Sequence, residues 1–361
     1  MNGELRKKVA ELYRDVIEPD LWRERMLLFS AGGNDGLAQE IAEILTIPLN
    51  LVGGFFSDTD VKVKFEPNVR GKHVVLIQPT VISNGKGEND GPLSRGRSAS
   101  DNLMLLMGCC DAFKRASVKE LTLVIPCLGG SREDRKSEPH IPIMASVVAN
   151  MIVKIGKADR VVTIDLHSGQ IQGMFESGFP VDNLYAMPLL LEKALDYLMN
   201  EGGIPRERIK LGAPDLGVKV LRSLGKKYEL PVVQYDKERL SDQEARLSAV
   251  IGDVKNFAII LIDDLFTTYG TMHKATEVTY DLEAEIVVPC GVHAIIVPPA
   301  LRRLEKSRAP VIFASNTVEW RSKNKKPDKL RTVSVAPLLA EVIRDILTYG
   351  SVSKHFVGIK D

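Results

Sequence analysis

An apolar run, Ala258 to Ile262, stops at two adjacent acids, Asp263 and Asp264. Polar and small residues follow (Thr267, Thr268, Gly270, Thr271), and apolar side chains then return at helical spacing (Met272, Ala275, Val278, Leu282). A buried strand, a polar loop and a helix start are the expected reading. The first N–H groups of such a helix have no partner within it and favour a dianion such as phosphate. Glycine lets the backbone approach closely, and threonine hydroxyls add donors. Carboxylates just upstream can accept from vicinal sugar hydroxyls or hold a hydrated Mg2+. The combination suits a phosphorylated sugar better than a bare phosphate. An acid pair or a Thr-Gly-Thr alone would be explained as well by a capped turn.

The rest of the chain repeats strand and helix patterns. Strands are expected over 26–30, 49–52, 61–65, 73–78, 121–126 and 160–166, with helices over 36–47, 101–116 and 142–155. Asp101 reads as the N-cap of the second helix, and 181–188 as a crossover into a second unit. That unit alternates helices (188–199, 217–228, closing with 338–347) with strands over 209–213, 232–235, 286–290, 292–297 and 311–315. Such alternation predicts an α/β fold with mostly parallel sheets. Right-handed crossovers would gather the strand C-termini and their loops along one edge, where ligands bind. Residues 1–25 read as an amphipathic helix broken near Pro19, 79–100 as a long polar loop and 321–329 as a solvated basic run.

A chain of 361 residues has room for two ordinary domains. Its formal net charge of +1 gives no field that would select nucleic acid or a membrane surface. No apolar run approaches the ~18 residues of a membrane span. Four cysteines, two of them adjacent (Cys109, Cys110), form neither a zinc spacing nor a disulfide framework. Free thiols and a cytoplasmic location are expected. The mixed charges of the first residues are unlike a secretory or transit peptide.

Five further stretches carry chemistry. His167 follows an apolar strand in Asp165-Leu-His-Ser-Gly-Gln-Ile-Gln-Gly173. A histidine there can bind phosphate when protonated or act as a general acid/base, although a lone one is usually structural. Arg132-Glu-Asp-Arg-Lys136 follows the strand at 121–126, Phe55-Phe-Ser-Asp-Thr-Asp60 sits in a turn, Lys237-Glu-Arg239 precedes a polar stretch, and Pro214-Asp-Leu-Gly217 follows a strand. No Walker A element is present, so a P-loop kinase is excluded.

Together these stretches resemble the ribose-phosphate diphosphokinases (phosphoribosyl diphosphate synthases), over residues 27–350. The loop at 263–271 is similar to their Asp-Asp-x-x-x-(Asp)-Thr-x-Gly-Thr, with Thr267 at the second acidic position. The Asp165–Gly173 match is long, and phosphoribosyltransferases generally lack it. Other departures are Leu128–Ser131 in place of an aromatic-rich lead-in, Glu133 for Gln, Val218 for Gly, and Arg222 displaced by one position.

The resemblance implies a phosphoribosyltransferase-type domain over 26–186, a second over 187–350, and a helical extension before them. It implies transfer of diphosphate from ATP to C1 of D-ribose 5-phosphate, with Mg2+, in a homo-oligomer built from dimers and usually hexameric. By motif, His167, Lys237 and Arg239 would be catalytic. Arg132, Glu133, Phe56, Asp58 and Asp60 would bind ATP, the last three on behalf of the neighbouring subunit. Asp263, Asp264, Thr267, Thr268, Tyr269, Gly270 and Thr271 would bind the sugar phosphate, and His167 and Asp215 would lie at the metal. The departures keep open a non-catalytic regulatory homologue. A phosphoribosyltransferase is a third reading.

Overall fold

In the computed structural model the described residues are 21–83, 96–214, 218–239, 245–320 and 326–355. A short helix α1 (Leu21–Arg25) runs straight into β1 (Met26–Ser30). There follow α2 (Asp35–Leu45), β2 (Leu49–Leu51), a small hairpin of β3 (Gly54–Phe55) and β4 (Val61–Lys62), β5 (His73–Ile77), α3 (Ala99–Arg115), β6 (Glu120–Ile125), α4 (Met144–Asn150), β7 (Arg160–Ile164) and β8 (Val181–Leu184). The second half contains α5 (Met187–Asp196), β9 (Ile209–Ala213), α6 (Val218–Lys227), β10 (Val232–Arg239), β11 (Ala245–Ile251), β12 (Ala258–Phe266) and α7 (Gly270–Asp281). It ends with β13 (Ile286–Ala294), α8 (Pro298–Lys306), β14 (Ile312–Ser315), β15 (Leu330–Val333) and α9 (Ala336–Leu347).

The expected α/β class with parallel sheets holds. One sheet has six strands in the order β2-β1-β5-β6-β7-β8, all parallel. The other has seven, β11-β10-β9-β12-β13-β14-β15, parallel except for the β10–β11 pair. Near-continuous apolar runs such as Val74–Ile77 and Ile259–Ile262 are buried because helices cover both faces.

Three apolar layers result, and the middle one is shared. Leu37 and Ile41 of α2, Leu190 and Leu191 of α5, and Leu339 and Ile343 of α9 pack with Val162 and Ile164 of one sheet and Ile260 and Ile262 of the other. Phe29, Phe113 and Leu123 fill the outer layer of the first sheet, and Val233, Met272 and Leu304 that of the second. A polar seam joins the halves beside the shared layer. Asn34, the N-cap of α2, donates to Asn316 O (2.7 Å), and Asn316 Nδ2 donates to Glu40 and to Ser334 Oγ (both 3.2 Å).

Several local expectations are corrected. Helix α3 begins at Ala99, capped by Ser98, and Asp101 closes a reciprocal capping box from the N3 position. Ser98→Ala is expected to cost about 1 kcal/mol in urea denaturation. The 181–188 segment contains β8, a strand of the first sheet. The helix expected over 142–155 becomes α4 followed by a π turn, Met151–Ile155, where Gly156 N donates to Met151 O (2.8 Å). The two strands expected around Gly291 are one, β13. Gly291 pairs with Asp263, and the Phe266 ring fills the space where a Cβ would come within 2.5 Å. The polar stretch after Arg239 runs into β11, Ala245–Ile251, which folds back on β10. Helix α8 was not expected, although Pro298 at its first turn is a helix-start signal. The first 20 residues, 84–95 of the long loop and 321–325 of the basic run lie outside the described residues.

Candidate active site

Because β6 and β7 run parallel in one sheet and β12 and β13 in the other, the loops that follow them emerge at strand C-termini, and here they face one another. Together they line a cleft between the two sheets, with Cys127–Arg132, Ile164–His167, Asp264, Leu265 and His293 in its wall. His167 Nδ1 lies 2.6 Å from Asp264 Oδ2, an ion pair between residues 97 apart in sequence. Two sequence-predicted residues from different halves are thus in direct contact.

The turn carrying His167 is tightly held. Asp165 adopts a left-handed backbone, φ 38°, which is uncommon for a residue with a side chain. Its carboxylate accepts from Ala186 N at 2.6 Å. Burial outweighs that bond and pushes the Asp165 pKa up to about 7. Asp263 is buried and its Oδ1 accepts from Asp264 N (3.0 Å).

Electrostatics favour the charged His167–Asp264 pair. The hydrogen bond that His167 donates to Asp264 raises the His167 pKa above its ordinary 6.5, against the opposing effect of burial. Burial alone would raise Asp264, but the bond to His167 and its charge hold it below the usual carboxylate range. The pair therefore stabilises the fold fully below the unfolded histidine's pKa and fades as pH rises through the raised folded value. At the acid end its contribution is lost as pH falls through the lowered pKa of Asp264. His167 is expected to titrate above 6.5 by NMR, and Asp264→Asn should bring it to that value or below.

The loop after β6 is built on glycine. Gly129 N donates to Thr80 Oγ1 (2.8 Å), and a Cβ there would lie 2.1 Å from Thr80 O. Arg132 stands exposed at the cleft mouth, while Glu133 is exposed and does not line it. Asp134 accepts from Gln170 Nε2 (2.9 Å), tying this loop to the 3-10 turn after His167.

After β12 the chain turns through Thr267, Thr268 and Tyr269 into α7 at Gly270 and Thr271. Tyr269 takes part in this loop through its main chain. Its backbone is left-handed (φ 56°), and its ring is buried against Phe266, centroids 5.1 Å apart. Only its main chain faces the loop. Arg303 of α8, which the sequence did not single out, donates to Thr268 O at 2.8 Å. His293 was also missed. A histidine near the C-terminal end of a buried strand, level with the other loops, was the available signal.

Phe56, Asp58 and Asp60 sit in the β3–β4 hairpin. Phe56 is half exposed beneath Lys62, Asp58 accepts from Asp60 N (3.2 Å), and none of the three lines the cleft of its own chain. Asp215 lies outside the described residues, and Lys237 and Arg239 are described in their backbone only, on β10. Among the described residues no group of three or more His, Cys, Asp or Glu is arranged to hold a metal ion. All four cysteines are free and buried, as expected.

Comparison with known proteins bears on this geometry directly. Residues 26–156 match the family model of the N-terminal domain of ribose phosphate pyrophosphokinase, and residues 227–357 match the phosphoribosyl synthetase-associated domain. A ribose-phosphate pyrophosphokinase of Clostridium tetani is 37% identical over 336 residues, covering 92% of this chain and 98% of that protein. A chloroplastic one from Arabidopsis thaliana is 37% identical over 336 residues, 92% of this chain and 77% of that protein. The crystal structure of phosphoribosylpyrophosphate synthetase from Mycobacterium smegmatis superposes with a TM-score of 0.76 at 29% identity, covering 90% of this chain and all of that one. With matches in both halves and bacterial relatives aligned over nearly their whole length, the chain belongs to the ribose-phosphate pyrophosphokinase family.

Proposed function

We propose that this chain transfers the intact β,γ-diphosphate of ATP to C1 of D-ribose 5-phosphate, giving 5-phosphoribosyl 1-diphosphate and AMP for nucleotide biosynthesis. The observation that carries this reading is the His167–Asp264 contact at 2.6 Å, where the ATP-side loops of one sheet meet the sugar-side loop of the other. The sugar's C1 hydroxyl attacks the β-phosphorus. The new P–O bond forms as the bond to the α,β-bridging oxygen breaks, AMP leaves with that electron pair, and the hydroxyl proton is lost.

Residue roles follow from the motifs and their placement. The unpaired N–H groups at the start of α7, with Thr267, Thr268, Gly270 and Thr271, receive the 5-phosphate. Asp263 and Asp264 take the ribose hydroxyls. Arg132 at the cleft mouth takes the ATP phosphates. His167, held cationic by Asp264, supports charge on the transferring oxygens together with Lys237 and Arg239. By motif, His167 and Asp215 would hold the divalent ion, Mg2+, which would supply charge neutralisation for the phosphates. The two phosphoribosyltransferase-type domains span 26–186 and 187–350. The β3–β4 hairpin, with Phe56, Asp58 and Asp60, serves a neighbouring subunit, which makes the working form a dimer-based oligomer. Among the described residues no helix is long and apolar enough to cross a membrane, and the cytoplasm is the proposed location.

The test is AMP release from ATP with Mg2+ and phosphate, with and without ribose 5-phosphate. AMP that appears only with the sugar supports the reading. A folded, ligand-binding protein that releases none is the non-catalytic homologue. Thr267→Asp, which restores the family's acid, is expected to keep or raise ribose 5-phosphate affinity by calorimetry. A clear fall with folding intact would assign the contact to Thr267 itself.

A further inference from the structure

We infer that His293 is a positioning residue for the transfer step: reaching across the seam between the two sheets, it holds the left-handed turn after β7 and so aims His167 at Asp264. The inference rests on the diphosphoryl-transfer reading.

His293 lies near the end of β13, in register with Leu265 of β12, one residue beyond Asp264. Its ring is buried, with Nε2 at 3.1 Å from Ile164 O and 3.2 Å from Asp165 O. Carbonyl oxygens only accept, so Nε2 carries the hydrogen and shares it between them. Nδ1, 2.9 Å from Thr317 Oγ1, is then the acceptor. Burial lowers the pKa of His293 and keeps the ring neutral, which preserves this division of roles. Thr317 is itself fixed, accepting from Ser315 Oγ at 2.9 Å.

The group that His293 grips is the one that needs gripping. A left-handed residue with a side chain is strained and persists where its surroundings over-determine it. At Asp165 the side chain is fixed by Ala186 N and the carbonyl by His293 Nε2. One anchor comes from its own half and the other from 128 residues away. His167 follows two residues later and meets Asp264, from the strand next to that of His293. The second sheet therefore supplies both the partner of His167 and the brace for its turn. A misplacement of about 1 Å at a reacting group can cost roughly 100-fold in rate.

The test is a double-mutant cycle on the full chain, with kcat and KM read from AMP release. His293→Leu is expected to lower kcat about 10-fold or more, with both KM values within about threefold. His293→Gln, whose carboxamide N–H can reach the same carbonyls, should recover most of the loss. With His167→Ala already in place, His293→Leu should lower the residual rate by less than about twofold, because its effect passes through His167. Thr317→Val, a milder change, should show the same pattern at smaller size and decides the matter if His293→Leu does not fold. An equal loss with and without His167, or a folded Gln variant no better than Leu, would overturn the inference. Wild-type protein that releases no AMP would remove the transfer reading, and this inference with it.

Discussion

His167→Ala is expected to lower turnover by about 10²–10⁴-fold, the range for removing a positioned acid/base or charge-stabilising group. Stability should change far less. The His167 side chain is 40% exposed and that of Asp264 17%, so the pair is partly screened by solvent and contributes on the order of 1 kcal/mol. The loss should appear in kcat more than in the KM of either substrate, because the cation is needed where charge develops. Urea denaturation alongside AMP release separates the two effects. If activity and stability fall together in proportion, His167 is a structural residue and the catalytic assignment is wrong.

Gly129→Ala carries the second large effect, by a different route. The new methyl would meet Thr80 O at 2.1 Å, a backbone atom that cannot swing aside. The loop must move, and with it the Gly129 N–H bond to Thr80 Oγ1. Overpacking of this kind costs about 1–3 kcal/mol, and losing the hydrogen bond adds about 1 kcal/mol. Arg132 lies three residues on, so the apparent KM for ATP should rise as well. A variant with wild-type stability and KM would mean that the loop after β6 adapts freely. In the family's terms Leu128–Ser131 is a departure from an aromatic-rich lead-in. In the structure the same four residues make a glycine turn fitted closely against Thr80.

What could be read in the sequence was local. The strand, acid pair and helix start around 263–271 announce themselves because the apolar run, the carboxylates and the small residues are contiguous. His167 could be placed because its strand is apolar and its motif long. The His293–Asp165 bond could not be read, since partners 128 residues apart leave no pattern in either neighbourhood. The same holds for Arg303 on Thr268 O, which needs the position of α8 relative to α7. Gly291 was read as a break because an isolated glycine weakens a strand pattern. Its use is to admit the Phe266 ring, a neighbour on another strand. Ser98 and Asp101 are both good caps by residue type, and only the backbone geometry chooses Ser98.

The middle apolar layer, which α2, α5 and α9 fill from both sides, limits how substrates can enter and leave. Swinging the two sheets apart would expose that layer to water. Uncovering about 400 Å² of it would cost roughly 10 kcal/mol, more than substrate binding ordinarily returns. Traffic through the cleft therefore runs over its rim, past the loops after β6 and β12, while the two walls keep a constant separation. An inhibitor designed against this protein would meet fixed walls, and the rate at which it leaves would be set at the rim.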